Sequence, residues 1–334
     1  MRGVSVLAMV FGHTLDLTLD DGLRDAPLVT LYWSFRGLTA PLFLVVAGWA
    51  LVASLRSAHA DTLGRRLRRA ALVLALGYLL HWPGLSAART MAAEGTLWPH
   101  LLAFDALPCI GWCIVGGVLL LALLPRAVGR IGAMGTLVLW VPFMAPLSWS
   151  LGSGSGWPWH GVLGHPAARF PLMPWAAFFF LGGTLSMVLP RLTRRHRAMA
   201  LLLTGGLLLL LLERTGLETW APASPWPAFY RMGQALLALG LLSTLPLWRL
   251  PGLVPLGRSS LGVYVAHLVL LYGWAGDPGL AAPWAHRLPV AAALGVSVLV
   301  LAAAVATARG VPAAVAWLEE AMSSRWQEPS AGAS

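Results

Sequence analysis

The sequence predicts an all-α, polytopic membrane helical bundle of about ten transmembrane helices, with both termini in the cytoplasm. Three observations predict it. The chain has 334 residues, of which 58% are hydrophobic and only 11% charged, whereas soluble domains carry roughly 25% charged residues. Apolar runs of the roughly 20 residues that a bilayer-crossing helix needs recur along the whole chain. The arginines gather in every second interval between those runs, as the positive-inside rule requires. This composition excludes a soluble globular enzyme, a disordered chain and a nucleic-acid-binding domain. The formal net charge is +10, and every basic residue is Arg. Such a surplus belongs to cytoplasmic loops and needs no nucleic-acid partner.

Taken in order, spans are expected at 3–19, 36–55, 70–87, 102–124, 131–147, 171–190, 198–213, 228–248, 257–275 and 288–308. The first run starts behind Arg2, and no small-x-small cleavage site follows it, so it is expected to stay as a helix. The third follows the cluster Arg65, Arg66, Arg68 and Arg69. The fourth holds Cys109 and Cys113, four apart on one face and expected as small core residues. The longest outer loop is expected at 148–170, with a flexible stretch Gly152-Ser153-Gly154-Ser155-Gly156 ahead of Trp157-Pro158-Trp159-His160. Arg191, Arg194, Arg195 and Arg197 precede the seventh span. One transmembrane domain is expected over 1–318. A cytoplasmic tail follows at 319–334, beginning with a short amphipathic piece and disordered from Gln327. No internal repeat is visible, which disfavours the inverted-repeat transporters.

With the N-terminus in the cytoplasm, 16 of the 23 arginines fall on the cytoplasmic side, Arg249, Arg258, Arg309 and Arg325 among them. Arg24, Arg36, Arg89, Arg169, Arg214, Arg231 and Arg287 fall outside. Asp16, Asp20, Asp21, Asp25, Glu94, Glu213, Glu218 and Asp277 lie at outer helix ends or loops.

Ionisable side chains inside a bilayer are costly, so each is a candidate functional group. His13 is the leading one. Eleven residues separate it from Arg2, about three helical turns, so both share one face roughly 16 Å apart. Asp16 follows three residues on, on the same face, where a carboxylate can fix an imidazole tautomer. His267 is the second intramembrane histidine and shares a face with Tyr264. Positioning an acyl donor or stabilising an oxyanion is one reading of it, and a hydrogen-bonded core histidine is the other. Asp105 stands at the outer start of the fourth span. Capping that helix and orienting a substrate or histidine are its two readings. Arg36 either binds substrate or anchors to headgroups. His81, His100, His160 and His165 fall near outer ends, and no pair has metal-ligand spacing, so no metal is expected. Trp33, Trp82, Trp98, Trp157, Trp175, Trp220 and Trp274, among the 17 tryptophans, suit the aromatic belt of a membrane interface. Some are also placed to flank a sugar.

Arg2-Gly3, a ten-residue gap and His13 resemble the R-x10-H signature of transmembrane acyltransferases. These include the acyltransferase-3 family and the relatives of heparan-alpha-glucosaminide N-acetyltransferase. Four further segments look similar, in the same order. They are Phe35-Arg36-Gly37-Leu38-Thr39-Ala40-Pro41-Leu42-Phe43 with Gly48, the basic Arg65-Arg66-Leu67-Arg68-Arg69, Phe104-Asp105-Ala106-Leu107-Pro108-Cys109-Ile110-Gly111, and the late Gly257-Arg258-Ser259-Ser260-Leu261-Gly262-Val263-Tyr264-Val265-Ala266-His267. Relatives carry an Asp and a short cytoplasmic lead before the Arg-Gly. That lead is missing here, so a misassigned or truncated start is expected.

The resemblance implies acyl transfer across a membrane. Acetyl-CoA, or another acyl-CoA, would bind from the cytoplasm, and the acyl group would reach a hydroxyl or amine of an outer sugar or glycolipid. Arg2, Arg65, Arg66, Arg68, Arg69 and Arg258 are the candidates for CoA phosphates, which arginine bonds in planar fashion. Positive-inside topology is the other reading of the four-arginine cluster. Arg36 and Tyr264 are candidates for substrate contact. His13 would serve as general base or as acyl carrier, since burial favours a neutral ring able to take a proton. Asp16, His267 and Asp105 are expected beside it. An integral protein of the bacterial inner membrane is expected. A transporter or flippase without covalent chemistry is the alternative, and a silent acyl-CoA binder is a third.

Overall fold

The computed structural model describes residues 2–56, 63–124, 126–156, 159–165, 168–213, 224–246 and 250–325, with no side chain described for Ser34 or for 311–325. The expected disorder from Gln327, and the expectations for Arg214, Glu218, Trp157, Trp220 and Arg249, lie outside the described residues.

The described chain is helical, with no strand among the described residues and only isolated bridges. In chain order the helices are α1 (Arg2–Thr18), α2 (Pro27–Arg36), α3 (Thr39–Ala53), α4 (Leu63–Leu79), α5 (Leu85–Ala93), α6 (Leu97–Leu101), α7 (Ala106–Leu123) and α8 (Ala127–Gly154). They continue with α9 (His160–Leu163), α10 (Leu172–Val188), α11 (Arg194–Glu213), α12 (Pro225–Thr244), α13 (Leu253–Arg258), α14 (Ser260–Tyr272), α15 (Ala281–Trp284) and α16 (Val290–Arg325). Five of them are long and apolar enough to cross a membrane: α7, α8, α10 with the turn after it, α11 and the first part of α16. Their outward faces are greasy. Leu203, Leu207, Leu210 and Leu211 of α11 and Leu299 of α16 are all exposed, which suits contact with lipid rather than water.

Helix ends follow from local chemistry. Pro27 and Pro225 stand in the first turns of α2 and α12, where a missing N–H costs nothing. Asp105 precedes α7, and its Oδ1 accepts the Ala106 N–H at 2.8 Å.

Several expected boundaries are corrected. The span at 70–87 ends as a helix at Leu79, and a turn leads into α5. The Leu79 carbonyl accepts the Trp274 indole N–H at 2.8 Å, and the Trp82 carbonyl accepts the Ala275 N–H at 3.2 Å. The outer loop expected from 148 is helical to Gly154. Ser148 Oγ donates to the Leu163 carbonyl, and the Trp149 indole donates to the Met173 carbonyl. The segment 36–55 divides at Gly37 between α2 and α3. The segment 257–275 is interrupted at Ser259, between α13 and α14.

By packing, the chain falls into two units. One holds Asp25–Pro251 with Trp274–Asp277; the other holds Arg2–Arg24, Gly252–Gly273 and Pro278–Ser334. In the first, α10 packs on α3 and α8, α4 on α7, and α11 on α12. Between helices in lipid the hydrophobic drive is weak, and close backbone approach supplies the contact. The α3–α10 crossing shows this: a Cβ at Gly48 would run into the Phe179 carbonyl, and one at Gly182 into that of Val45. Phe178 and Phe179 fill the adjoining core. Cys109 and Cys113 are buried free thiols there, as expected.

In the second unit, α1 packs against α13, α14 and α16. The last carbonyls of α1 find partners in the strap before α16. His286 N–H donates to Leu17, and Arg287 and Leu288 N–H donate to Thr18. At the other end a Cβ on Gly3 would strike the Leu253 carbonyl, and one on Gly257 would touch Gly3 and Arg2. The two glycines bring α1 and α13 into backbone contact and set Arg2 beside Gly257-Arg258.

Candidate functional site

His13 lies on α1 among buried Gly12, Thr14 and Leu15. Thr14 and Thr18 spend their hydroxyls on the carbonyls four residues back. That leaves His13 as the imidazole of this helix. Its ring centroid is 5.4 Å from that of His267, at a tilt of 42°. His267 belongs to α14 and is fully buried.

The hydrogen bonds assign chemistry to these rings. His267 Nδ1 lies 3.0 Å from the Val263 carbonyl. A carbonyl only accepts, so Nδ1 carries the hydrogen, and in the neutral ring Nε2 keeps a lone pair. Nε2 is buried with no hydrogen-bond partner among the described residues. His267 can therefore accept a bond from an N–H or O–H brought by a ligand. Tyr264 stands edge-on to it at 5.5 Å between centroids, as the i, i+3 spacing requires. His13 Nδ1 is 3.3 Å from Tyr272 Oη, with the rings nearly perpendicular at 6.0 Å.

Asp16 meets Arg24. Arg24 Nη1 is 3.9 Å from Asp16 Oδ1, and Nη2 donates to the Asp16 backbone carbonyl at 3.0 Å. Arg24 also holds Asp21 at 2.7 Å and donates to His286 Nδ1 at 2.8 Å. The polar end of α1 is thus a charged knot.

Asp105 belongs to the first unit and caps α7. The Phe170 N–H bonds to the Phe104 carbonyl next to it at 3.2 Å, which draws Arg169 close. His81 and His100 meet edge to face at 6.3 Å. Burial pushes the His81 imidazole below its ordinary range; Asp105 opposes this, and His100 and Arg169 reinforce it. His160 and His165 stack face to face at 3.8 Å. Among the described residues no three His, Cys, Asp or Glu side chains are placed to hold a metal ion.

Of the arginines, Arg2 lies against Gly257 at the α1–α13 contact, and Arg258 is the next residue along the chain. Arg65, Arg66, Arg68 and Arg69 occupy the first turns of α4. Arg65, Arg68 and Arg69 are exposed, while Arg66 is buried and its Nε has no hydrogen-bond partner among the described residues. Arg36 sits at the end of α2, over the Trp33 ring at 4.8 Å.

Sequence reasoning missed Tyr272, Arg24 and His286. Tyr272 is five residues after His267, about 140° around the helix, so periodicity does not join them. His286 reaches α1 through tertiary contact alone.

Five helices long and apolar enough to cross a membrane, with His13 of α1 and His267 of α14 facing each other, describe an integral membrane protein. The chain belongs to the acyltransferase-3 family: the family model for this acyltransferase domain matches residues 1–309. No curated protein and no solved structure gives a significant match.

Proposed function

We propose that this membrane acyltransferase moves an acetyl or other acyl group from cytoplasmic acyl-CoA to a hydroxyl or amine of an extracytoplasmic sugar or glycolipid. The observation that carries the reading is the apposition of His13 and His267 at 5.4 Å, on a helix whose first residue is Arg2.

The chemistry balances with the groups present. His13 Nε2 takes the proton of the acceptor hydroxyl as its oxygen attacks the thioester carbonyl. The C–S bond breaks, and the CoA thiolate leaves and regains that proton from the imidazolium. In the two-step variant, His13 Nε2 itself attacks the thioester, the C–S bond breaks and the CoA thiolate leaves; the acceptor oxygen then takes the acyl group from the imidazole, and its proton ends on the thiolate. The buried lone pair of His267 suits a donor group, such as a pantetheine amide N–H or the acceptor hydroxyl. It suits an oxyanion less, because the neutral ring has already spent its N–H.

The phosphates of CoA call for cations. The meeting of Arg2 with Gly257-Arg258, and a buried Arg66 with a spare Nε–H, fit that need. In this reading about ten helices cross the bilayer, with both termini in the cytoplasm. The catalytic domain reaches residue 318, the tail is cytoplasmic, and the membrane is the bacterial inner membrane. Asp105 and Arg36 then serve the outer, acceptor side, and no metal takes part.

The test is thiol release from acetyl-CoA by purified protein in detergent, with and without an envelope glycan extract. Release that depends on the extract supports transfer. Absence of release, together with proton-coupled uptake by vesicles, would turn the reading toward a transporter.

A further inference from the structure

A histidine acts as a base through the nitrogen that lacks hydrogen, and the bond made by its other nitrogen decides which one that is. For His13 to take a proton at Nε2, its hydrogen must sit on Nδ1 and find an acceptor. A phenol lies at that nitrogen: Tyr272 Oη is 3.3 Å from His13 Nδ1. Asp16, the carboxylate three residues away, spends its backbone carbonyl and one oxygen on Arg24.

Resting on the reading of His13 as the base, we propose that Tyr272 is its positioning residue: the phenol oxygen accepts the Nδ1–H and leaves the Nε2 lone pair for the chemistry.

The fold stations Tyr272 for this. It is the last residue of α14, and Leu271 beside it is fully buried. The chain then leaves the helix at Gly273, with φ 77°, a conformation that glycine adopts freely. The Gly273 N–H still closes on the Val269 carbonyl at 2.9 Å, and the Leu280 N–H folds back onto the Leu270 carbonyl at 3.0 Å. Gly279 lies so close to Gly273 that a Cβ there would crowd its nitrogen. The final turn is held from both sides, and the ring stands edge-on to His13 at 88°. The histidines of α1 and α14 then share one design. Each donates from Nδ1, His267 to a backbone carbonyl and His13 to a phenol, and each offers Nε2 as an acceptor.

The experiment reads the tautomer directly. Protein labelled with nitrogen-15 histidine is studied in detergent by NMR at mildly alkaline pH, and the His13 signals are identified by their loss in His13→Gln. In wild type the Nδ1-protonated form is expected. In Tyr272→Phe, which keeps the ring and removes only the hydroxyl, a shift toward the Nε2-protonated form is expected. An Nε2-protonated His13 in wild type, or the same tautomer in both proteins, overturns the proposal. In the kinetic arm, Tyr272→Phe is expected to lower kcat about tenfold, the scale of one neutral hydrogen bond, with KM for acetyl-CoA unchanged. Wild-type kcat in that variant counts against the proposal. If wild type transfers nothing, the reading of the enzyme fails, and the tautomer measurement still decides the role of Tyr272.

Discussion

His267 donates its Nδ1–H to the carbonyl of Val263, one turn back in the same helix, at 3.0 Å. That bond turns a buried imidazole into a fixed acceptor facing His13. Asparagine places an amide N–H near the position of Nδ1 but has nothing at Nε2. His267→Asn is therefore expected to keep the bond to Val263 and to unfold close to the wild-type temperature. Its acyl transfer is expected to fall by about 10²-fold or more, the range of a lost proton-handling group. Parallel melting curves and initial rates check this. Full activity in the asparagine variant would reduce His267 to a structural role.

Asp16 offers a contrast with Tyr272. Its carboxylate and Arg24 are each about one-third exposed, at 32% and 31%, and such a pair contributes at most about 1 kcal/mol. Asp16→Asn is expected to change kcat less than Tyr272→Phe does. Were Asp16 the orienting carboxylate of a His–Asp pair, the loss would approach about 10⁴-fold. Steady-state kinetics of the two variants side by side separates these outcomes.

The helical, apolar character of the chain was legible in the sequence, because long apolar runs leave few alternatives; five helices are long and apolar enough to cross a membrane, against the ten spans expected. The helix ends were less legible. α4 stops at Leu79, four residues before Pro83, which has no N–H to offer the Leu79 carbonyl; that carbonyl accepts instead from Trp274, 195 residues later, a partner that no local pattern announces. Gly152-Ser153-Gly154 reads as a linker by composition. It is helical to Gly154 and packs there so closely that a Cβ at Gly152 would strike the Gly164 carbonyl, an approach that only glycine admits. His13 and His267 were legible as candidates through their costly placement and the flanking motifs. Periodicity correctly joined Tyr264 to His267 but could not reach Tyr272. It placed Asp16 near His13 but could not foresee Arg24, which returns from beyond the helix to claim it.

The crossing of α3 and α10 tests the packing. Gly48→Ala drives a methyl group into the Phe179 carbonyl, and a backbone oxygen in a helix cannot turn away. A loss of about 1–3 kcal/mol is expected, the range for overpacking. Thermal unfolding in detergent measures it, and Gly116→Ala, where a Cβ meets open space, serves as the control. Equal melting of the two variants would contradict the crossing.

The His81 imidazole, beyond the end of α4, is pushed down by burial, and its neighbours His100 and Arg169 add to this against Asp105. The native state then binds its proton less readily than the unfolded chain, whose histidines titrate near about pH 6.5. The contribution to stability is complete above that pH and is lost as pH falls below it toward the native value. The melting temperature of wild type is expected to drop more steeply from about pH 7 to about pH 5 than that of His81→Gln. Parallel slopes would remove His81 from the acid response.

The central claim is that His13 carries out acyl transfer. Purified wild type and His13→Ala are given acetyl-CoA labelled on the acetyl group, with an envelope glycan extract, and label is followed into the extract and onto the protein. The expected result is transfer to the extract by wild type and none by the variant, with label held on wild-type protein marking the two-step path. Transfer by His13→Ala at the wild-type rate would contradict the claim.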